Sequence, residues 1–174
     1  DLQIWDPTPL DTSNNDEYIF AIFGQSQDAT NEYAEYYDLD NSGLYVSTNH
    51  GVNWTKLSLP SNINGREDDL NDIEVDPNNN KLWVSGTRNL YWDPGSNFYS
   101  STDGSSFTKV SPSFPTLTTS NIGRVEIAAS STNADKFYIL LATTDIPTQA
   151  EIFKTTDGFN TLTKLNEPND EDVG

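Results

Sequence analysis

Asn97-Phe98-Tyr99-Ser100-Ser101-Thr102-Asp103 decides how this chain folds, because the same phrase occurs twice more. Gly43-Leu44-Tyr45-Val46-Ser47-Thr48-Asn49 precedes it, and Glu151-Ile152-Phe153-Lys154-Thr155-Thr156-Asp157 follows. Each is a short run rich in aromatic and β-branched residues that ends in a hydroxyl residue and an Asp or Asn, the make-up of a strand entering a tight turn. Each turn leads into one pattern of apolar residue, Thr, Lys and apolar residue: Trp54-Thr55-Lys56-Leu57, Phe107-Thr108-Lys109-Val110 and Leu162-Thr163-Lys164-Leu165. Ser47, Ser101 and Thr155 lie 54 residues apart, as 101 − 47 and 155 − 101 show.

A second phrase lies upstream. Asp72-Ile73-Glu74-Val75-Asp76-Pro77 precedes Lys81-Leu82-Trp83-Val84, and Val125-Glu126-Ile127 precedes Lys136-Phe137-Tyr138-Ile139; Asp1-Leu2-Gln3-Ile4-Trp5-Asp6-Pro7 is a first copy with one inserted residue. Each unit reads strand, turn, strand, longer loop, strand, tight turn, strand. Four antiparallel strands in roughly 50 residues are the size and composition of one propeller blade. The expected fold is therefore all-β, with consecutive four-stranded antiparallel blades forming about three blades of an incomplete β-propeller. Blade one spans residues 1–66 with a long insertion, blade two 67–121 and blade three 122–168. Residues 169–174 repeat the acidic lead-in of Glu67-Asp68-Asp69 and read as the start of a further blade.

The composition narrows the function. Nine Lys and Arg stand against 27 Asp and Glu, a formal net charge of −18, so nucleic-acid backbones and anionic membranes are repelled. No apolar run approaches the roughly 20 residues of a membrane-spanning helix, and with no cysteine there is neither a disulfide framework nor a thiolate metal site. Acidity with abundant Asn, Ser and Thr points to a secreted or cell-surface setting, and the expected source is a bacterium. The opening Asp1-Leu2-Gln3, without Met or a basic segment, reads as a processed end or an excerpt.

The recurring turns resemble the Asp-box, or bacterial neuraminidase repeat, with the pattern Ser-x-Asp-x-Gly-x-x-Trp. Ser47, Asn49, Gly51 and Trp54 match its spacing with Asn in place of Asp. Ser101, Asp103, Gly104 and Phe107 form a copy one residue short, and Thr155, Asp157, Gly158 and Leu162 form one with its Gly moved forward. In such a turn the Asp or Asn accepts bonds from turn amides, Gly supplies a positive φ, and the aromatic anchors the hairpin against the blade stack. The resemblance thus implies a structural role for these residues. It further implies three functional groups: sialidases, xyloglucanase-type glycoside hydrolases, and sortilin-like propellers that bind proteins or peptides. The Asp-Pro-Asn-Asn phrase before Leu-Trp-Val is closest to the last two groups. A sialidase arginine triad is the poorer match, since Arg66, Arg88 and Arg124 are the only arginines.

The expected role is a non-catalytic binding or scaffold segment of a larger protein, presenting loops to a protein or glycan, with remaining blades of the same protein, or partner copies, covering its lateral faces. Arg66 and Arg124, before inner strands, and Tyr91 and Trp92, beside Asp93-Pro94-Gly95, are the ligand-binding candidates. The alternative is part of a glycoside hydrolase, with Asp69 and Asp172 on inner-strand loops of two blades as its acid pair. A third reading makes the chain exported cargo bound to bacterial secretion machinery. No cofactor is expected. Asp38, Asp40 and Ser42 open an oxygen-rich loop, but Asn49 takes the place of the bidentate Glu of a calcium loop, which favours a plain Asx-rich turn. His50, the single histidine, lies within a turn, which excludes a His-dependent triad.

Overall fold

The computed structural model describes residues 1–9, 17–23, 42–60, 68–87, 96–115, 122–143 and 150–166. These residues form strands and no helix: β1 (Leu2–Trp5), β2 (Tyr18–Phe23), β3 (Gly43–Ser47), β4 (Thr55–Lys56), β5 (Asp69–Asp76), β6 (Lys81–Thr87), β7 (Ser96–Ser101), β8 (Thr108–Val110), β9 (Ile122–Ala129), β10 (Phe137–Thr143), β11 (Ala150–Thr155) and β12 (Thr163–Lys164). Among them there is accordingly no helix long and apolar enough to cross a membrane. The strands pair in chain order as three four-stranded antiparallel sheets, β1-β2-β3-β4, β5-β6-β7-β8 and β9-β10-β11-β12. Consecutive blades of an all-β propeller are therefore the architecture, as the repeats require.

The register ties the sheets to the repeats. Phe20 lies opposite Val46, Trp83 opposite Ser100, and Tyr138 opposite Lys154. Each is thus across from the residue just before the turn hydroxyl of Ser47, Ser101 or Thr155. Phe20, Trp83 and Tyr138 are equivalent positions. By the same pairings Leu2, Ile73 and Ile127 correspond on the inner strands, and Asp1, Asp72 and Glu126 precede them.

Two cores form where sheets stack. Trp5, Phe20, Ile22 and Leu44 of the first sheet meet Ile73, Leu82, Val84 and Tyr99 of the second. On the other face of the second sheet, Trp83 and Phe98 meet Val125, Ile127, Phe137, Ile139, Leu141, Phe153 and Phe159 of the third. Strand β6 is consequently buried from Leu82 to Thr87, without the alternation of a one-sided sheet. Each fully buried aliphatic or Phe side chain contributes about 1.5–3 kcal/mol.

Turn glycines fit between aromatic rings. A Cβ on Gly104 would stand 2.7 Å from Trp5 Cζ3 and 3.1 Å from Phe20 Cζ, and one on Gly158 would stand 3.2 Å from the Trp83 ring. Each hairpin of the second and third sheets thus docks by its glycine on a ring of the preceding sheet. Polar bonds fix the same junctions: Trp5 Nε1 donates to Asn80 Oδ1 at 3.1 Å, and Asn78 Nδ2 donates to the Ser130 carbonyl at 2.7 Å.

The first hairpin departs from the expectation of an anchoring aromatic. Trp54 remains 38% exposed, and a Cβ on Gly51 would touch only Trp54, at 3.9 Å. No described sheet packs on that side, so the ring that Gly104 and Gly158 each receive has no counterpart there. Gly51 and Gly104 both have positive φ, +81° and +71°, so the two positions separate turn strain from packing. Gly104→Ala should cost about 2–4 kcal/mol through strain and overpacking together, and Gly51→Ala about 1 kcal/mol through strain alone. Chemical denaturation of the two variants checks the difference.

Candidate functional site

The chemistry-bearing side chains fall in three places: the recurring hairpins, the inner strands, and the end of the second sheet from which the β6–β7 connection departs. In the first hairpin Ser47 Oγ accepts from the Gly51 amide at 2.8 Å, while Asn49 Oδ1 accepts from the Asn53 amide at 2.8 Å. In the second, Ser101 Oγ accepts from Gly104, and Asp103 Oδ1 accepts from the Ser105 and Ser106 amides at 2.8 and 2.7 Å. In the third, Thr155 Oγ1 accepts from Phe159, and Asp157 takes the Thr161 amide at 2.9 Å and the Thr161 hydroxyl at 2.7 Å. The Asx side chain is in every case an acceptor for its own turn. The amides of Ser106 and then Ser105 hold the Asp103 carboxyl far below the usual carboxylate range, and the Thr161 hydroxyl and amide lower that of Asp157.

Neighbouring inner strands are joined by side chains. Strand β9 pairs within its sheet only with β10, so alternate amides along its free edge need acceptors from elsewhere. Strand β5 supplies them: Val125 N–H donates to Asn71 Oδ1 at 2.9 Å, Ile127 N–H to Asp72 Oδ2 at 2.7 Å, and Ala129 N–H to Glu74 Oε1 at 3.3 Å. At the preceding junction Ile73 N–H donates to Asp1 Oδ2 at 3.1 Å. Asp1 and Asp72 occupy equivalent positions, so one carboxylate clasp repeats. Partial burial is the main cause that raises the pKa of Asp72, opposed by the Ile127 amide.

The third place is a polar cluster. Asp68 is buried, and its Oδ2 accepts from Asn97 Nδ2 and from the Tyr99 hydroxyl, each at 2.6 Å. Ser111 Oγ donates to Asn97 Oδ1 at 2.5 Å. The two bonds to the Asp68 carboxylate are charge-assisted, which makes them short and strong. Among the described residues nothing donates to Asp68 Oδ1. Asp69, the first residue of β5, reaches solvent, yet the protein crowded around it, and secondarily the Asp68 charge, raise its pKa.

The candidates from the sequence are dispersed. Asp69 lies within β5 and Arg124 within β9, not in loops entering those strands. The reason is pairing: the inner strands extend to Thr87 and Thr143 of their neighbours, which draws both residues into the ladder. Arg124 pairs with Glu126 on the same strand. Ser42 immediately precedes β3. Arg66, Tyr91, Trp92, Asp172, Asp38 and Asp40 lie outside the described residues. Among those described, no group of three or more acidic or histidine side chains is placed to hold a metal ion.

Three contributors escape the motif reading. Phe159, at φ +65°, is fully buried and stacks on Phe98 with ring centroids 3.9 Å apart and planes at 10°. The hairpin pattern leaves its position free, so only the run of Gly158 and Phe159 after Asp157 signals it. The clasp of Asp72 and the bonds of Asp68 join residues of different strands, and the acidity of the segment masks them.

These carboxylates make stability depend on pH in two opposite ways. Asp103 and Asp157 have lowered pKa values, so their contribution is complete above the ordinary value of 3.8 and is lost as pH falls through their folded values. Asp69 and Asp72, with raised values, favour the folded state more once protonated. Acidification from neutral pH relieves that burden along with part of the repulsion within a chain of net charge −18. The melting temperature should rise as pH falls from neutral towards the carboxylate range and fall again once pH drops below the ordinary value of 3.8. The double variant Asp103→Asn and Asp157→Asn, which keeps an acceptor as Asn49 does, should flatten the acid limb in thermal scans.

No protein-family model matches the chain, and no curated protein matches it. Two solved structures are similar in outline. One is a protein of unknown function from Dyadobacter fermentans, 16% identical, covering 84% of this chain and 45% of its own, with a TM-score of 0.49. The other is the GH32 β-fructofuranosidase BmSUC1 of Bombyx mori, 16% identical, covering 86% of this chain and 32% of its own, with a TM-score of 0.48. The chain spans less than half the length of either.

Proposed function

We propose that this chain is a non-catalytic recognition and scaffold segment of a secreted or cell-surface Asp-box propeller, bacterial in origin, which presents its loop end to a protein or glycan ligand. The observation that carries this reading is the use made of the inner-strand carboxylates. Asp72 accepts the Ile73 amide on one oxygen and the Ile127 amide on the other, Glu74 accepts Ala129, and Asp1 accepts Ile73. Carboxylates committed to backbone amides hold sheets together and are not free to move a proton at a glycosidic oxygen. The three hairpins support the Asp-box resemblance in the same sense, since each Asx side chain faces its own turn.

Asp69 favours a second reading, as part of a glycoside hydrolase. It reaches solvent with a raised pKa, the condition of a general acid. An inverting pair would need a second carboxyl about 6.5–9.5 Å away, and Asp172 is the candidate that the sequence offers.

Glycan-array binding and the release of reducing sugar from xyloglucan, measured on the full-length protein, separate the two readings. Binding without release is the expected result, and Asp69→Asn should leave it unchanged. Sugar release that is abolished by Asp69→Asn would overturn the non-catalytic reading.

A further inference from the structure

We infer that Asp68 anchors a cation-binding site at the end of the second sheet from which the β6–β7 connection departs, a site of one buried carboxylate and neutral oxygens. The site does not depend on which of the two functional readings holds. Asp68 is 7% exposed, and its two oxygens have unlike surroundings. Oδ2 accepts from Asn97 Nδ2 and from the Tyr99 hydroxyl. Oδ1 is buried and, among the described residues, has no hydrogen-bond partner. An ionised carboxylate has only acceptor capacity, so whatever meets Oδ1 brings a proton to donate or a positive charge.

The third sheet shows that a blade does not require this arrangement. Tyr99 lies opposite Val84 as Phe153 lies opposite Ile139, and Asn97 opposite Gly86 as Glu151 lies opposite Leu141, so the pairs are equivalent. At that end of the third sheet Ile122 and Phe153 are buried in an apolar core. Apolar packing of such a place is as stable as an ionic one or more so, so the polar cluster of the second sheet stands against a simpler filling that the same chain uses. The third sheet also shows how a buried acid is neutralised here. Glu151 is as buried as Asp68, and Lys164 Nζ stands 2.9 Å from its Oε2. Among the described residues no such cation reaches Asp68.

Charge and size select the occupant. Nine Lys and Arg serve 27 Asp and Glu, and Asp69 follows Asp68 directly, its pKa raised by burial and then by the Asp68 charge. A water at Oδ1 would donate a proton and leave both carboxylates unneutralised, whereas a cation opposes both. An oxygen so enclosed admits an ion without admitting a sugar ring or a peptide side chain. The neighbouring oxygens suit a hard ion. The Tyr99 hydroxyl keeps its lone pairs after donating, and Asn97 Oδ1 takes the Ser111 hydroxyl with one of its two. The Asp69 carbonyl and Asp68 Cβ lie 3.5 and 3.0 Å from where a Gly86 Cβ would stand. Such a site holds one acid, so no grouping of three marks it. A single charged ligand places the dissociation constant at about 10⁻⁴–10⁻³ M, the range of extracellular calcium modules.

The test uses the 174-residue chain, freed of metal by a chelator and melted in rising calcium, magnesium or sodium chloride, with choline chloride holding the ionic strength at about 0.15 M to screen the net charge. At least one of the three ions is expected to raise the melting temperature saturably, by about 4–7 °C at roughly twenty times its dissociation constant. The responding ion separates a divalent from a monovalent occupant. Asp68→Asn, which keeps an acceptor for Asn97 and Tyr99, should abolish the shift, and Asp38→Asn combined with Asp40→Asn should leave it. If circular dichroism finds Asp68→Asn unfolded, terbium becomes the probe: emission excited through tyrosine should saturate on the unaltered chain and be largely lost in Tyr99→Phe. No saturable shift with any ion, a shift that survives Asp68→Asn, a shift lost with Asp38 and Asp40, or terbium emission indifferent to Tyr99→Phe would each overturn the inference. In the first case a water or a basic residue outside the described strands meets Oδ1.

Discussion

An inner strand with a free edge is the constraint from which the rest of this structure follows. In a sheet that runs β5-β6-β7-β8 in chain order, the first strand bonds to a neighbour on one side only, and its other amides must find acceptors or remain in water. Backbone pairing stops at each sheet's own strands, and side chains bridge the gap to the next sheet. Asn71, Asp72 and Glu74 do so for β9, and Asp1 does so for β5. The abundance of acid in these strands is thereby explained in part: an ionised carboxylate has only acceptor sites to offer, which suits a row of donors.

At the outer part of each sheet the problem is steric. Flat rings of one sheet must meet a hairpin of the next closely enough to exclude water, and glycine gives the least obstruction. Gly104 and Gly158 fill that role while also taking the positive φ of the turn. Ser101 and Thr155 hold the turn amides in place beneath them. Amide clasps between first strands and ring-on-glycine contacts at the hairpins thus tie neighbouring sheets together at two separate places.

The strands and their grouping into sheets were legible because both depend on local chemistry. Ser47, Ser101 and Thr155 with their Asx partners mark one turn three times, and the alternating runs on either side have the length of strands. The direction in which sheets stack was not legible, because it depends on which face of a strand meets a neighbour. Trp54 illustrates the gap: the pattern makes it an anchor, but an anchor needs a sheet on its own side. Asp69 and Arg124 show another, since a bulge at Asn71 and a register shift between Ala142 and Thr143 adjust the ends of the inner strands in ways that composition does not signal. Of the candidate site, the hairpin residues could be placed from spacing alone. The Asp68, Asn97 and Tyr99 cluster could not, since its members converge only when β5, β6 and β7 are laid side by side.

The outermost strands are very short. Strands β4 and β12 have two residues and β8 has three, and every one contains a lysine: Lys56, Lys109 and Lys164. A ribbon so brief, with a cation on it, is a poor template for strands of another molecule. The perimeter therefore resists the side-by-side growth that leads to fibrils.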